Sequence, residues 1–181
     1  MRLASPPWAC GEAWHDGHVN EARASRQLSR RANGGDGSLT EYLALRLGGE
    51  VYGMPLTHVR EILLVPPVTP VPRAPYDILG IINVRGQLVT VIDLRRRLRV
   101  PTEEASKRSR VLLVPGPEGE LLGLFVDEVM QVYRLGQSEI ESAAVLGANV
   151  SEHVEGLGRR DGALLILLSM RSLLHAEGSL Q

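Results

Sequence analysis

Cys10, Glu12, His15, Asp16 and His18 form the one stretch of this 181-residue chain where side chains able to hold a metal crowd together. A structural zinc site needs four ligands at paired, short spacings. One cysteine and two histidines at this spacing match no such arrangement, so no metal and no cofactor are expected. His58, His153 and His175 are scattered, with no partner pattern around them. No glycine-rich loop ends in Lys-Ser or Lys-Thr, and no Gly-x-Ser-x-Gly turn presents a nucleophile. The chain therefore offers no catalytic residue and reads as a binding protein, not an enzyme.

Charge supplies a second chemistry to weigh. Arg95, Arg96, Arg97, Arg99, Lys107, Arg108 and Arg110 make a local basic region. Binding of single-stranded nucleic acid joins such charge to exposed aromatic platforms, and no aromatic residue lies in this region. Net charge is −1, which gives no field toward a polyanion or an anionic membrane. Lys107 is the sole lysine, so arginine is the default cation here and its enrichment alone carries no argument. The expected role of the run is a solvated face, with no nucleic-acid partner.

The elements that must position any binding surface are short strands. Aromatic residues are only 4% of the chain against 44% apolar overall, so the core has to be built from Leu, Val and Ile, which favours β structure. Residues 1–38 are rich in Ala, Arg, Ser and Gly and end in Asn33-Gly34-Gly35-Asp36-Gly37-Ser38. They read as a disordered extension that folding does not require, ahead of one domain over residues 39–177. Tyr42 to Leu47 alternates, with Leu43, Leu45 and Leu47 on one face, and Gly48-Gly49 turns it back through Glu50 to Met54. Thr57 to Leu63 is expected to be helical, with Thr57 as its N-cap. Five prolines make Val65 to Pro75 an extended edge segment. Ile78 to Val84 and Gln87 to Ile92 form a hairpin across Arg85-Gly86, followed by a short helix at Leu94 to Leu98 capped by Asp93.

Further strands are expected at Val111 to Val114, Leu121 to Val126, Val129 to Tyr133, His153 to Leu157 and Ala163 to Leu168, with a closing helix at Met170 to His175. Residues 136–152 read as a long connection. Strands at this spacing, without long alternating helices, indicate small barrels or a sandwich. No secretory signal core is visible. The longest strongly apolar stretch, Ala163 to Leu168, is far too short to span a bilayer. A lone cysteine forms no internal disulfide, and a soluble cytoplasmic protein is expected.

Several separated pieces coincide between Val59 and Leu98: Val59-Arg60-Glu61-Ile62, Val71-Pro72-Arg73-Ala74-Pro75, Gly80-Ile81-Ile82-Asn83-Val84-Arg85-Gly86, and Val91-Ile92-Asp93-Leu94-Arg95. This segment resembles the CheW family, including the spacing between the pieces. Gly123-Leu124-Phe125-Val126-Asp127-Glu128-Val129 and Gly156-Leu157-Gly158 with Leu164, Ile166 and Leu168 extend the resemblance over residues 41 to about 176. Two departures stand out: the N-terminal extension has no counterpart, and Val84 stands where Leu is common.

The resemblance implies a mainly β fold, with two small five-stranded SH3-like barrels packed as one domain and short helices. It implies a non-catalytic coupling protein bridging the cytoplasmic hairpin tip of methyl-accepting chemoreceptors and the regulatory domain of a CheA-type histidine kinase. Such a protein would be recruited to membrane-associated receptor arrays without inserting into the membrane. Receptor contact would fall on Val59, Glu61, Ile62, Gly80, Asn83, Arg85 and Gly86; no kinase-facing residue is assigned. A groove between barrels accepts the apolar stripe of a helical hairpin, while Glu61 and Arg85 select the partner by charge. Plainer roles stay open beside these. Val59 and Ile62 at helical spacing fit a core face, Glu61 and Arg85 fit an exposed ion pair, and the glycines fit turn making. A diverged adaptor of another chemosensory or motility pathway, binding only one of the two partners, is the alternative function.

Overall fold

Strands buried on both faces must be apolar at consecutive positions, and those runs organise this molecule. The computed structural model describes residues 39–102, 104–143 and 151–175. Its strands are β1 (Thr40–Leu47), β2 (Glu50–Pro55), β3 (Glu61–Leu64), β4 (Ile78–Val84), β5 (Gln87–Asp93), β6 (Arg110–Pro115), β7 (Leu121–Val126), β8 (Glu128–Leu135), β9 (Ile140–Ser142), β10 (Val154–Arg160) and β11 (Ala163–Leu168). Two five-residue helices, α1 (Leu94–Leu98) and α2 (Met170–Leu174), follow β5 and β11.

The strands make two sheets. One runs in the order β8-β1-β2-β11-β10-β9, the other β3-β6-β7-β5-β4. The chain therefore starts in the first sheet, builds the second completely, and returns through β8 to finish the first. The architecture is the mainly β, two-unit one expected, except that the short β9 gives one sheet a sixth strand.

Alternation assigns the side chains to three apolar clusters. In β1, Leu43, Leu45 and Leu47 face a core shared by the two sheets, while Tyr42 and Ala44 face the interior of their own sheet. In β6, Leu112 and Val114 join the shared core, and Val111 and Leu113 pack with Val89, Val91 and Phe125 inside the five-stranded sheet. At roughly 1.5–3 kcal/mol for each fully buried large apolar side chain, the shared core is the main force holding the sheets together.

Two-residue turns fix the hairpin registers. Val84 pairs with Gln87 and Arg160 with Ala163, leaving Arg85-Gly86 and Asp161-Gly162 as the connections. All four residues have positive φ (52°, 89°, 52° and 77°), the type I′ geometry that matches strand twist. Both hairpins also carry a register shift near their start, at Ile78/Gly80 and Val154/Gly156. Each ends in a parallel pairing, β5 with β7 and β11 with β2, and then in a five-residue helix. The same strand–turn–strand–helix unit thus occurs twice.

The expected helix over Thr57 to Leu63 is not formed. Pro55 leads into a single 3-10 turn, Leu56–His58, after which Val59 is extended (φ −87°, ψ 121°). Arg60 N–H then donates to the Leu113 carbonyl at 2.8 Å, and β3 pairs with β6 from Glu61 to Leu64. Pairing with a strand about fifty residues away overrides the local helical spacing, and Pro66 turns Val65 away from helical angles. The proline-rich segment is extended as expected, and it contributes to shape. Thr69 exchanges two backbone hydrogen bonds with Ile81 of β4, at 2.9 and 2.8 Å. The chain leaving one edge of the five-stranded sheet thereby bonds to the opposite edge, so the sheet curls.

Candidate functional site

Curling brings together residues that a flat sheet would hold apart. Glu61 opens β3 and Arg85 sits in the turn after β4, at opposite edges of the five-stranded sheet. Five flat strands span about 19 Å between the edge strands at 4.8 Å per spacing, yet Arg85 Nη2 donates to Glu61 Oε1 at 2.7 Å. The pair lies on the surface, with the Arg85 side chain 79% exposed and Glu61 33%.

The other expected residues divide by depth. Asn83 Oδ1 accepts from the Gly86 N–H at 2.8 Å, closing the turn that presents Arg85. Val59 and Ile62 pack partly buried against the shared core, so each has both a core face and an accessible one. Gly80 lies beneath the surface: it is buried, with φ +148°, and a Cβ there would stand 2.2 Å from the Thr69 carbonyl oxygen. It shapes the wall and is no part of the exposed group.

The basic run is not the solvated face expected of it at its helical end. Arg95 is 5% exposed. Its Nε and Nη2 donate to Asp93 Oδ1 and Oδ2 at 3.0 and 2.8 Å, and its Nη1 donates to Asp127 Oδ1 at 2.7 Å. The guanidinium also lies 4.7 Å from the Phe125 ring centroid. Burial alone would lower the Arg95 pKa, but the hydrogen bonds and charge of Asp93, followed by those of Asp127, outweigh it and raise it. Arg95 is a permanent cation. Arg96 covers the Tyr76 ring at 4.9 Å and donates to the Tyr76 carbonyl at 2.9 Å, while Arg97 pairs with Asp77. Three consecutive arginines thus tie α1 to Asp127, between β7 and β8, and to the segment before β4.

Asp93 caps α1 as expected, accepting from the Arg95 N–H at 3.0 Å. Sequence reasoning missed its second role with Asp127. A side-chain contact over 32 positions leaves no spacing signal. Among the described residues, no group of three or more His, Cys, Asp or Glu is placed to hold a metal. The Cys10, His15 and His18 stretch lies outside those residues.

An exposed ion pair, presented on a turn closed by its own side-chain hydrogen bond, suits recognition of another protein. A sequence model of the CheW-like domain matches residues 41–178. The chain belongs to the CheW-like family.

The chemotaxis protein CheW of Bacillus subtilis is 30% identical over 138 residues, covering 76% of this chain and 88% of that one. CheW of Treponema pallidum is 28% identical over 141 residues, covering 76% and 83%. Protein FrzA of Myxococcus xanthus is 29% identical over 123 residues, covering 67% and 76%. The crystal structure of the scaffolding protein TtCheW from Thermoanaerobacter tengcongensis superimposes with a TM-score of 0.69 at 29% identity, covering 78% of this chain and 96% of that one. Membership makes the chain a scaffold or adaptor of the chemotaxis type, from a family that works without catalysis. Glu61, Arg85, Asp93, Arg95 and Asp127 all lie within the matched region. No described helix is long and apolar enough to cross a membrane.

Proposed function

We propose that this protein couples two partners in the cytoplasm: the helical hairpin tip of a chemoreceptor and the regulatory domain of a CheA-type histidine kinase. It would join receptor arrays through these contacts, and receptor state would bias the kinase through the bridge, with no bond made or broken. The observation that carries the reading is the Glu61–Arg85 pair, held at the surface across the two edges of one curled sheet.

Val59 and Ile62 beside it would supply apolar contact, and burial of that contact would supply most of the affinity. The charges would set register and exclude wrong partners. Asn83 and Gly86 would hold the turn rigid, so that little conformational freedom is lost on docking. Gly80 would act from beneath, by letting the Thr69 segment close against β4.

The test is a pair of titrations, one with a receptor hairpin fragment and one with the kinase regulatory domain, each repeated with Arg85→Glu. Binding of both by the wild type is expected, with receptor affinity falling about tenfold or more in the variant. Kinase affinity should be unchanged. Unaltered receptor binding by a folded Arg85→Glu protein would remove the site from this surface. Binding of a single partner would favour a specialised adaptor of another chemosensory pathway.

A further inference from the structure

We propose that Asp93, Arg95 and Asp127 form a latch that fixes the setting of one sheet relative to the other. The inference concerns the free protein and does not rest on the identity of any partner. Its first support is placement. Asp93 ends β5 of the five-stranded sheet, and Asp127 is the single residue between β7 of that sheet and β8 of the other. The second oxygen of Asp127 accepts from the Gly48 N–H at 2.9 Å, in the β1–β2 turn of the six-stranded sheet. Gly48 is further confined by the Pro101 carbonyl, 2.9 Å from where a Cβ would stand. One guanidinium therefore connects the end of β5, the crossover and, through Asp127, a turn of the opposite sheet.

The second support is an internal control. The strand–helix unit occurs twice, and in the second copy Ser169-Met170-Arg171 stands where Asp93-Leu94-Arg95 stands in the first. Ser169 makes no side-chain cap bond and Arg171 is exposed, yet α2 has the same five-residue length as α1. The unit forms without the ion cluster. What the first copy adds is the reach to Asp127.

The third support is energetic. Replacing a buried ion network by apolar residues is often neutral or stabilising, so such a network is weak as a source of stability. The shared core already supplies cohesion, but apolar packing is non-directional. The bidentate contact with Asp93 fixes the plane of the guanidinium, and its single bond to Asp127 carries that direction to the residue between the sheets. Cohesion would come from the core and orientation from the latch.

The test measures inter-sheet distance directly. Leu88 in β5 and Leu164 in β11 are 69% and 50% exposed. Each is replaced by Cys in a Cys10→Ser background and spin-labelled, and the distance distribution is read by pulsed electron paramagnetic resonance. Wild type should give one narrow distribution. Arg95→Met, folded by circular dichroism, should broaden it, while Arg171→Met should leave it unchanged. An unchanged width in folded Arg95→Met overturns the proposal, as does equal broadening in Arg171→Met. Should Arg95→Met not fold, Asp127→Asn, which removes only the crossover charge, decides by the same widths. Failure of both to fold would show that the cluster builds the fold, and would also overturn the proposal.

Discussion

Arg85 holds a backbone setting that arginine avoids. Its φ is 52°, and a non-glycine residue there costs roughly 1–2 kcal/mol, whereas asparagine accepts it readily. The pair with Glu61 offsets little of this, because a contact with one partner 79% exposed is worth about 0–1 kcal/mol. Stability therefore gives no reason for arginine at this position, whereas the proposed recognition would. Arg85→Asn should keep unfolding free energy within about 1 kcal/mol of wild type in urea while weakening receptor binding. The charge swap Glu61→Arg with Arg85→Glu separates two roles. It restores the pair but inverts what a partner meets, so receptor affinity should stay low. Recovery to wild-type affinity would mean that the pair acts only by holding the turn to β3. At this scale the sequence was informative: both residues stand in pieces whose combined spacing marks the family. Asp127 was equally visible as a residue, but nothing in its neighbourhood reveals that it meets Arg95.

Gly80 and Gly86 look alike in sequence and differ once placed in their elements. A Cβ on Gly86 meets nothing within 4 Å, so Gly86→Ala costs only the strain of φ +89°, about 1 kcal/mol. At Gly80 the added carbon meets the backbone of Thr69, which cannot rotate away as a side chain can. Gly80→Ala must open the Thr69–Ile81 bridge that closes the curled sheet. It should cost at least about 2 kcal/mol more than Gly86→Ala in urea unfolding. Equal costs would show that the bridge yields freely. Two hairpins were legible because turn chemistry is local: Gly48-Gly49 and the glycine of Arg85-Gly86 accept positive φ without help from the rest of the fold. The segment from Thr57 to Leu63 was not, because its conformation is decided by a ladder to Leu112 and Leu113. Val59 and Ile62 are spaced for a helix face and reach the shared core from extended backbone instead.

Across the whole molecule, apolar runs such as Val111 to Val114 identified strands but not which core each residue enters, since both faces are buried. That assignment needs the partner sheet. It also places two tyrosines where their ionisation opposes the fold. Tyr52 is buried in the shared core, and its hydroxyl donates to Glu50 Oε2 at 2.8 Å. Burial foremost, then the Glu50 hydrogen bond and charge, push its pKa far above the ordinary 10.0. Tyr42, inside the six-stranded sheet, is raised by burial and by the charge of Glu155. The Tyr52 phenol stays neutral in the folded state while that of the unfolded chain ionises. Its contribution is therefore whole below pH 10 and lost as pH rises beyond it, by about 1.4 kcal/mol per unit, and Tyr42 acts in the same direction. Other groups add little there, because the chain has one lysine and arginine ionises above about 12. Tyr52→Phe should lose about 1 kcal/mol at neutral pH with the Glu50 hydrogen bond, yet lose stability less steeply between pH 10 and 11.5, by close to one proton. Urea unfolding across that range measures the slope. A variant as steep as wild type would show that the shared core admits the ionised phenol, and that the alkaline limit of this fold is set elsewhere.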